Sequence, residues 1–141
     1  MNYLIDTCVL SEAQRKRPDR KCLRWMADHA ADSVLYVSAV TIGEIKHGIS
    51  RLPTTDPRRA RLSSWLETEI LEPFADCILP FDREVAAKWG EIMGEADSLG
   101  QSRPPLDAQI VATALVHDLT IVTRNVSDLN FAGARVVNPF V

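Results

Sequence analysis

The chain predicts a single α/β domain whose mostly parallel central sheet, of about four or five strands, is flanked by helices on both faces. Short apolar runs of strand length alternate with segments of helical periodicity, the pattern of βαβ units. The runs are apolar throughout, without in-and-out alternation, as in strands buried on both faces. At 141 residues the chain fits one domain spanning 1–141, a size at which folding buries about two-thirds of the unfolded surface.

Tyr3-Leu4-Ile5-Asp6-Thr7 reads as the first strand, ending abruptly in a carboxylate. A short helix through Val9–Ala13 follows and stops at Arg15-Lys16-Arg17-Pro18, since the residue before a proline disfavours helix. A second helix starts with Asp19 as its cap and carries Cys22, Leu23, Trp25, Met26 and Ala30 at packing spacing. Val34–Val37, β-branched and aromatic, is the second strand. From Ser38 a helix runs with the stripe Ile42, Ile45, Ile49 and Leu52, and Glu44 lies off that stripe on a flank shared with Thr41.

Pro53–Pro57 forms a turn with a cap and a proline at the first helical position, and a long helix from Arg58 towards Glu72 follows. Its Trp65, Leu66 and Ile70 suit either a core or a dimer face. Cys77–Phe81 is the third strand, and Asp82 caps a helix reaching Gly100. After the Pro104-Pro105 break, Leu106–Val116 is apolar nearly all round, the mark of a helix inside a domain. Leu119–Thr123 and Arg135–Val137 complete the strands.

Composition narrows the function classes. No apolar run approaches the ~20 residues of a membrane helix, and the N-terminus lacks the features of a secretory signal, so a cytoplasmic protein is expected. Three cysteines without metal-type spacing read as thiols rather than bridges. The three histidines form no zinc pattern. Met1–Arg61 holds 11 Lys/Arg against 7 Asp/Glu, and the remainder 5 against 12. Such a split suits an anionic partner for the first half and a cation or basic partner for the second, or simply solvated helix faces.

Three acids fall at equivalent topological places: Asp6 at the end of strand one, Glu44 in the helix after strand two, and Asp107 opening the buried helix. Parallel strands would bring them to one sheet edge, where Thr123-Arg124-Asn125-Val126-Ser127-Asp128 also arrives. Clustered carboxylates raise one another's pKa, and Mg²⁺ or Mn²⁺ with oxygen ligands is their natural companion. Each acid also has a structural explanation. Asp6 suits a helix cap, Thr41-Ile42-Gly43-Glu44 a capping box, and Asp107 a first helical turn.

Leu4–Glu12, the Ser38–Ile45 block with Gly48, Asp107–Ala114, Val122-Thr123-Arg124-Asn125 and the terminal Val137-Asn138-Pro139-Phe140 together resemble a PIN domain, most closely toxins of the VapC and FitB type. The resemblance spans the chain with its motifs in order. It implies a Mg²⁺- or Mn²⁺-dependent endoribonuclease, the dimeric toxin of a toxin–antitoxin pair, which arrests translation or growth and is inhibited by its VapB-like antitoxin. Asp6, Glu44 and Asp107 are then the catalytic acids and metal ligands. The family's fourth acid often follows the Thr-Arg pair, where this chain has Asn125, so either Asn125 or Asp128 completes the metal site. The implied chemistry is hydrolysis by a metal-activated water, without a protein nucleophile.

Other classes fit less well. Aspartyl-phosphate phosphatases need a second Asp two residues after the first, and Cys8 stands there. Neither G-x-G-x-x-G nor the P-loop pattern occurs. Glu44-Ile45-Lys46-His47 is a lone Glu-x-x-His, against the pairs of a di-iron bundle. The non-enzymatic alternative is a PIN-like RNA- or partner-binding domain with a weakened site, motivated by Asn125.

Overall fold

Strands β1 (Tyr3–Ile5), β2 (Leu35–Ser38), β3 (Ile78–Leu79), β4 (Thr120–Val122) and β5 (Arg135–Val137) form one parallel sheet in a computed structural model that describes residues 1–141. Their spatial order is β3-β2-β1-β4-β5. The chain builds outward from β1 to β2 and β3, then crosses back to add β4 on the other side of β1. Ligands of open α/β sheets bind beyond the carboxyl ends of the strands at such a reversal, here between Asp6 after β1 and Thr123 after β4.

The connections are helical: α1 (Thr7–Leu10) with a 3₁₀ turn over Ser11–Gln14, α2 (Arg20–Asp32), α3 (Ala39–Ser50), α4 (Pro57–Trp65), α5 (Arg83–Ser98), α6 (Pro105–Val116) and α7 (Val126–Leu129). Each expected strand and helix is present, with trimmed ends. Asp6 leaves the first strand to cap α1. The third strand keeps only two residues, because Pro80 has no N–H to continue the ladder. Asp19, Asp56 and Asp82 cap α2, α4 and α5 by accepting from Cys22 N–H, Arg58 N–H and Val85 N–H. Gly100, just past α5, takes the left-handed conformation at φ 68° that glycine adopts without strain.

Strand alternation sends side chains into two cores. Tyr3, Ile5, Val37 and Val122 join Val9, Leu10, Cys22, Ile45, Leu66 and Ile70 on one face. Leu4 and Ile121 join Val85, Ile92, Val111 and Leu129 on the other. Leu66 and Ile70 are therefore core residues, not a dimer face; they sit in a π-helical continuation of α4 over Leu66–Leu71, with Trp65 packed beside them. Helix α6 is buried at Ala108 and from Ile110 through Ala114, because strand and helix layers enclose it.

The expected capping box at Thr41–Glu44 does not form. Ser38 caps α3 instead, accepting from Val40 N–H at 3.0 Å, and Thr41 lies inside the helix. Thr41 is 0% exposed, and its hydroxyl has no hydrogen-bond partner. Glu44 is thus free of a capping role and projects from the second turn of α3.

Candidate functional site

Asp6 is held from two sides. Its Oδ1 accepts from Thr7 N–H at 2.9 Å, as the cap of α1, and its Oδ2 accepts from Thr123 Oγ1 at 2.7 Å. Thr123 is 0% exposed, and its hydroxyl in turn accepts from Asn125 N–H at 3.0 Å. Helix start and strand end are thereby tied across the β1–β4 crevice. Capping does not preclude a chemical role for Asp6, because it fixes the carboxylate's orientation.

Glu44 comes to the same edge from α3, where its Oε1 accepts from Thr7 Oγ1 at 3.5 Å. Burial first, then the charges of Asp6 and Asp107, raise its carboxyl above the ordinary value of 4.5, against the opposing Thr7 hydroxyl bond. Asp107, in the first turn of α6, is likewise raised above 3.8, first by burial and then by Asp128 and Asp6. The four acids therefore share one field. Asp128 is exposed on α7 and reaches Asp107 electrostatically. Asn125 stands at the cap position of α7, but its side chain makes no capping bond, and only its backbone N–H is engaged with Thr123.

No ion pair of the molecule involves Asp6, Glu44, Asp107 or Asp128. The negative charge gathered here is unmatched by a protein cation. No three His, Cys, Asp or Glu side chains stand close enough to bind one ion directly, yet the acids are close enough to perturb each other. Mg²⁺ and Mn²⁺ keep several waters and use one or two direct carboxylates. The oxygen-only donor set fits the same hard cations.

Cys8 lies beside the acids, its Sγ 3.7 Å from Asp6 Oδ2 and 3.5 Å from Thr123 Oγ1. Burial pushes its thiol above 9.0, while the backbone of Arg124 and the Thr123 hydroxyl pull the other way. The thiol is protonated at neutral pH and is no thiolate nucleophile.

Glu12 is the acid that sequence reasoning missed. At 2% exposure it accepts from Asp19 N–H at 2.8 Å and Arg15 Nη1 at 3.3 Å, and Arg124 Nη2 lies 3.6 Å away. Arg124 also stacks on Phe140, 3.8 Å from the ring centroid. The available signal was an acid set among Val9, Leu10 and Ala13 just before a basic run.

A family model for the PIN domain matches residues 3–131. The chain is 34% identical over 137 residues to VapC ribonuclease Y4jK of Sinorhizobium fredii, covering 97% of this chain and 96% of that protein. It is 36% identical over 137 residues to toxin FitB of Neisseria gonorrhoeae, covering 97% of each. Among solved structures, that of FitAB bound to a DNA fragment superposes with TM-score 0.85 at 34% identity, covering 99% of this chain and 96% of that one. VapBC2 of Rickettsia felis, at 20% identity and TM-score 0.79 over 98% of each chain, shares the fold. By its family match, its near-full-length relatives and its fold, this chain belongs to the PIN domain family.

Proposed function

We propose that this protein is a divalent-metal-dependent endoribonuclease, the toxin of a toxin–antitoxin pair, which hydrolyses RNA phosphodiesters and so arrests translation or growth. The observation that carries the reading is the unpaired cluster of Asp6, Glu44, Asp107 and Asp128 at the reversal of strand order. Near-full-length relatives named as a VapC ribonuclease and a FitB toxin support it.

Asp6, Glu44 and Asp107 would hold Mg²⁺ or Mn²⁺, directly or through water, with Asp128 supplying the outer negative charge that Asn125 cannot. When bound, the metal supplies a water of lowered pKa and positive charge against the negative charge developing on the phosphate. The protein's own part is positional. Thr7 N–H and the Thr123 hydroxyl fix both oxygens of Asp6, and the Thr7 hydroxyl reaches Glu44, so one short segment orients two ligands. A fixed arrangement spares the reorganisation that a mobile set of acids would require in each turnover.

The same acids explain an inhibitory partner. A cognate, VapB-like antitoxin whose basic segment carries an Arg would enter the site through charge-assisted hydrogen bonds; relatives of known structure include the FitA–FitB complex of N. gonorrhoeae at 35% identity. We place the protein, as a homodimer, in the cytoplasm with its RNA. No helix is long and apolar enough to cross a membrane.

The test is cleavage of RNA by the purified chain with Mn²⁺, its loss in EDTA, and its loss in Asp6→Asn. An Asp6→Asn protein that cleaves at the wild-type rate overturns the reading. RNA binding by the wild type with no cleavage at any Mn²⁺ concentration would make the chain a binding domain.

A further inference from the structure

We propose that a basic groove between the Ser11–Gln14 turn and the start of α4 is a subsite for the phosphate backbone of single-stranded RNA. The inference rests on the ribonuclease reading above and extends it to how the substrate is held away from the acids. The groove is about 1070 Å³, and five of its seven lining residues are cationic: Arg15, Lys16, Arg17, Arg58 and Arg61. The other two are Gln14 and Pro57, so no large hydrophobic side chain lines it, which sets it apart from a cleft built for an apolar helix.

The cations are unequally neutralised. Arg15 faces Glu12, and Arg58 is paired with Asp56 at 2.8 Å. Lys16, Arg17 and Arg61 form no ion pair, although Arg61 is oriented by a 3.2 Å hydrogen bond from its Nη1 to Gln14 Oε1. Three uncompensated positive charges thus converge in one concavity of a chain whose net charge is −3. A polyanion gains counterion-release free energy in such a groove, and three uncompensated cations beside two paired ones suit a run of phosphates better than one isolated anion.

Glu12 connects the groove to the acids. The carboxylate that faces Arg15 also lies 3.6 Å from Arg124. Arg124 sits between Thr123, which holds Asp6, and Asn125, whose N–H is bound to Thr123. Arg15 of the groove and the partly exposed guanidinium of Arg124 thus face one carboxylate, with Arg124 next in the chain to the Thr123 that holds Asp6. This continuity favours RNA over an acidic peptide as occupant, because the peptide would have no reason to lead to a hydrolytic site.

The test uses the full chain in EDTA, so that binding is read without cleavage, and a labelled single-stranded RNA of about 16 nucleotides. Replacing Lys16, Arg17 and Arg61 together by Ala should weaken binding at low salt about tenfold or more, and flatten the slope of log affinity against log salt by about 2. A charge-matched control with Arg83 and Lys88 of α5 and Arg103 before α6 replaced by Ala, outside the groove, should stay within about twofold. If the groove triple variant melts lower than wild type, Arg17→Ala alone should weaken binding about two- to threefold.

Equal weakening by both triple variants, unchanged RNA binding by the groove variant, or no RNA binding by the wild type overturns the proposal. So does a groove variant that keeps RNA but loses a poly-glutamate peptide. Mn²⁺-dependent cleavage run in parallel separates the two readings: a groove variant binding RNA normally while the wild type cleaves sinks the groove alone. Selective loss of RNA binding in the groove variant, beside a wild type that binds RNA but never cleaves it, sinks the nuclease reading and leaves the RNA subsite.

Discussion

Thr123 Oγ1 donates to Asp6 Oδ2 at 2.7 Å across a sequence separation of 117 residues. The bond fixes one oxygen of a proposed metal ligand from the far side of the crevice, as hydrogen bonds behind metal ligands do elsewhere. Thr123→Val keeps the shape and deletes the donor. RNA cleavage should fall about ten- to hundredfold with a weaker Mn²⁺ dependence, and Thr123→Ser should restore most of it. Wild-type rates and Mn²⁺ titration in Thr123→Val would show that the bond is merely structural.

The fourth position is decided by comparing Asp128→Ala with Asn125→Ala. Asp128 is among the charges that raise Asp107, whereas the Asn125 side chain makes no capping bond. Isothermal titration with Mn²⁺ should show about tenfold weaker binding for Asp128→Ala and a near-normal curve for Asn125→Ala. The reverse pattern would assign the position to the amide.

In the metal-free protein Glu44 and Asp107 are acids whose folded pKa lies above the ordinary values of 4.5 and 3.8. The folded state then holds protons more tightly than the unfolded state. Their contribution favours folding below those values and is lost as pH rises through the raised ones. Thermal melts in EDTA should therefore show Asp107→Asn and Glu44→Gln melting higher than wild type at pH 7, with the gain vanishing near pH 3. Added Mg²⁺ should raise the wild type more than either variant. A gain independent of pH would exclude this origin.

Thr41 is fully buried with an unpartnered hydroxyl. Replacing a buried, unsatisfied polar group by an apolar one of the same shape removes a desolvation cost. Thr41→Val should raise stability by about 1 kcal/mol in urea unfolding. A destabilised Thr41→Val would reveal that the hydroxyl has a partner in solution.

Glu12→Gln should lower stability by about 1–3 kcal/mol, because Arg15 and Arg124 lose the carboxylate they face while the Asp19 N–H keeps an acceptor. Urea unfolding measures the loss. Unchanged stability would mean that this buried carboxylate contributes no net free energy.

The sequence made the sheet and three of the acids legible because both depend on local signals. Apolar runs of strand length mark β1, β2 and β4, and Asp6 and Asp107 each sit where such a run or a proline break ends. Glu44 was legible only as a residue off the apolar stripe of α3; its supposed cap partner, Thr41, proved to be core, since Ser38 reaches the helix start first. Glu12, the Thr123–Asp6 bond and the Arg124–Phe140 stack were not legible. Each joins segments far apart in the chain, and periodicity reports which way a side chain faces, not what meets it there.

The sheet has no hairpin: every strand pairs in parallel with a neighbour reached through a crossover, and β1 is flanked on one side by β4, a strand far along the chain. Nothing emerging from the ribosome before residues 120–122 can therefore seat β1 between both neighbours or give Asp6 its Thr123 bond. Non-local pairing of this kind folds late and cooperatively. A chain cut before residue 120 would keep Asp6 in its sequence yet lose both the strand and the hydroxyl that hold that carboxylate in place.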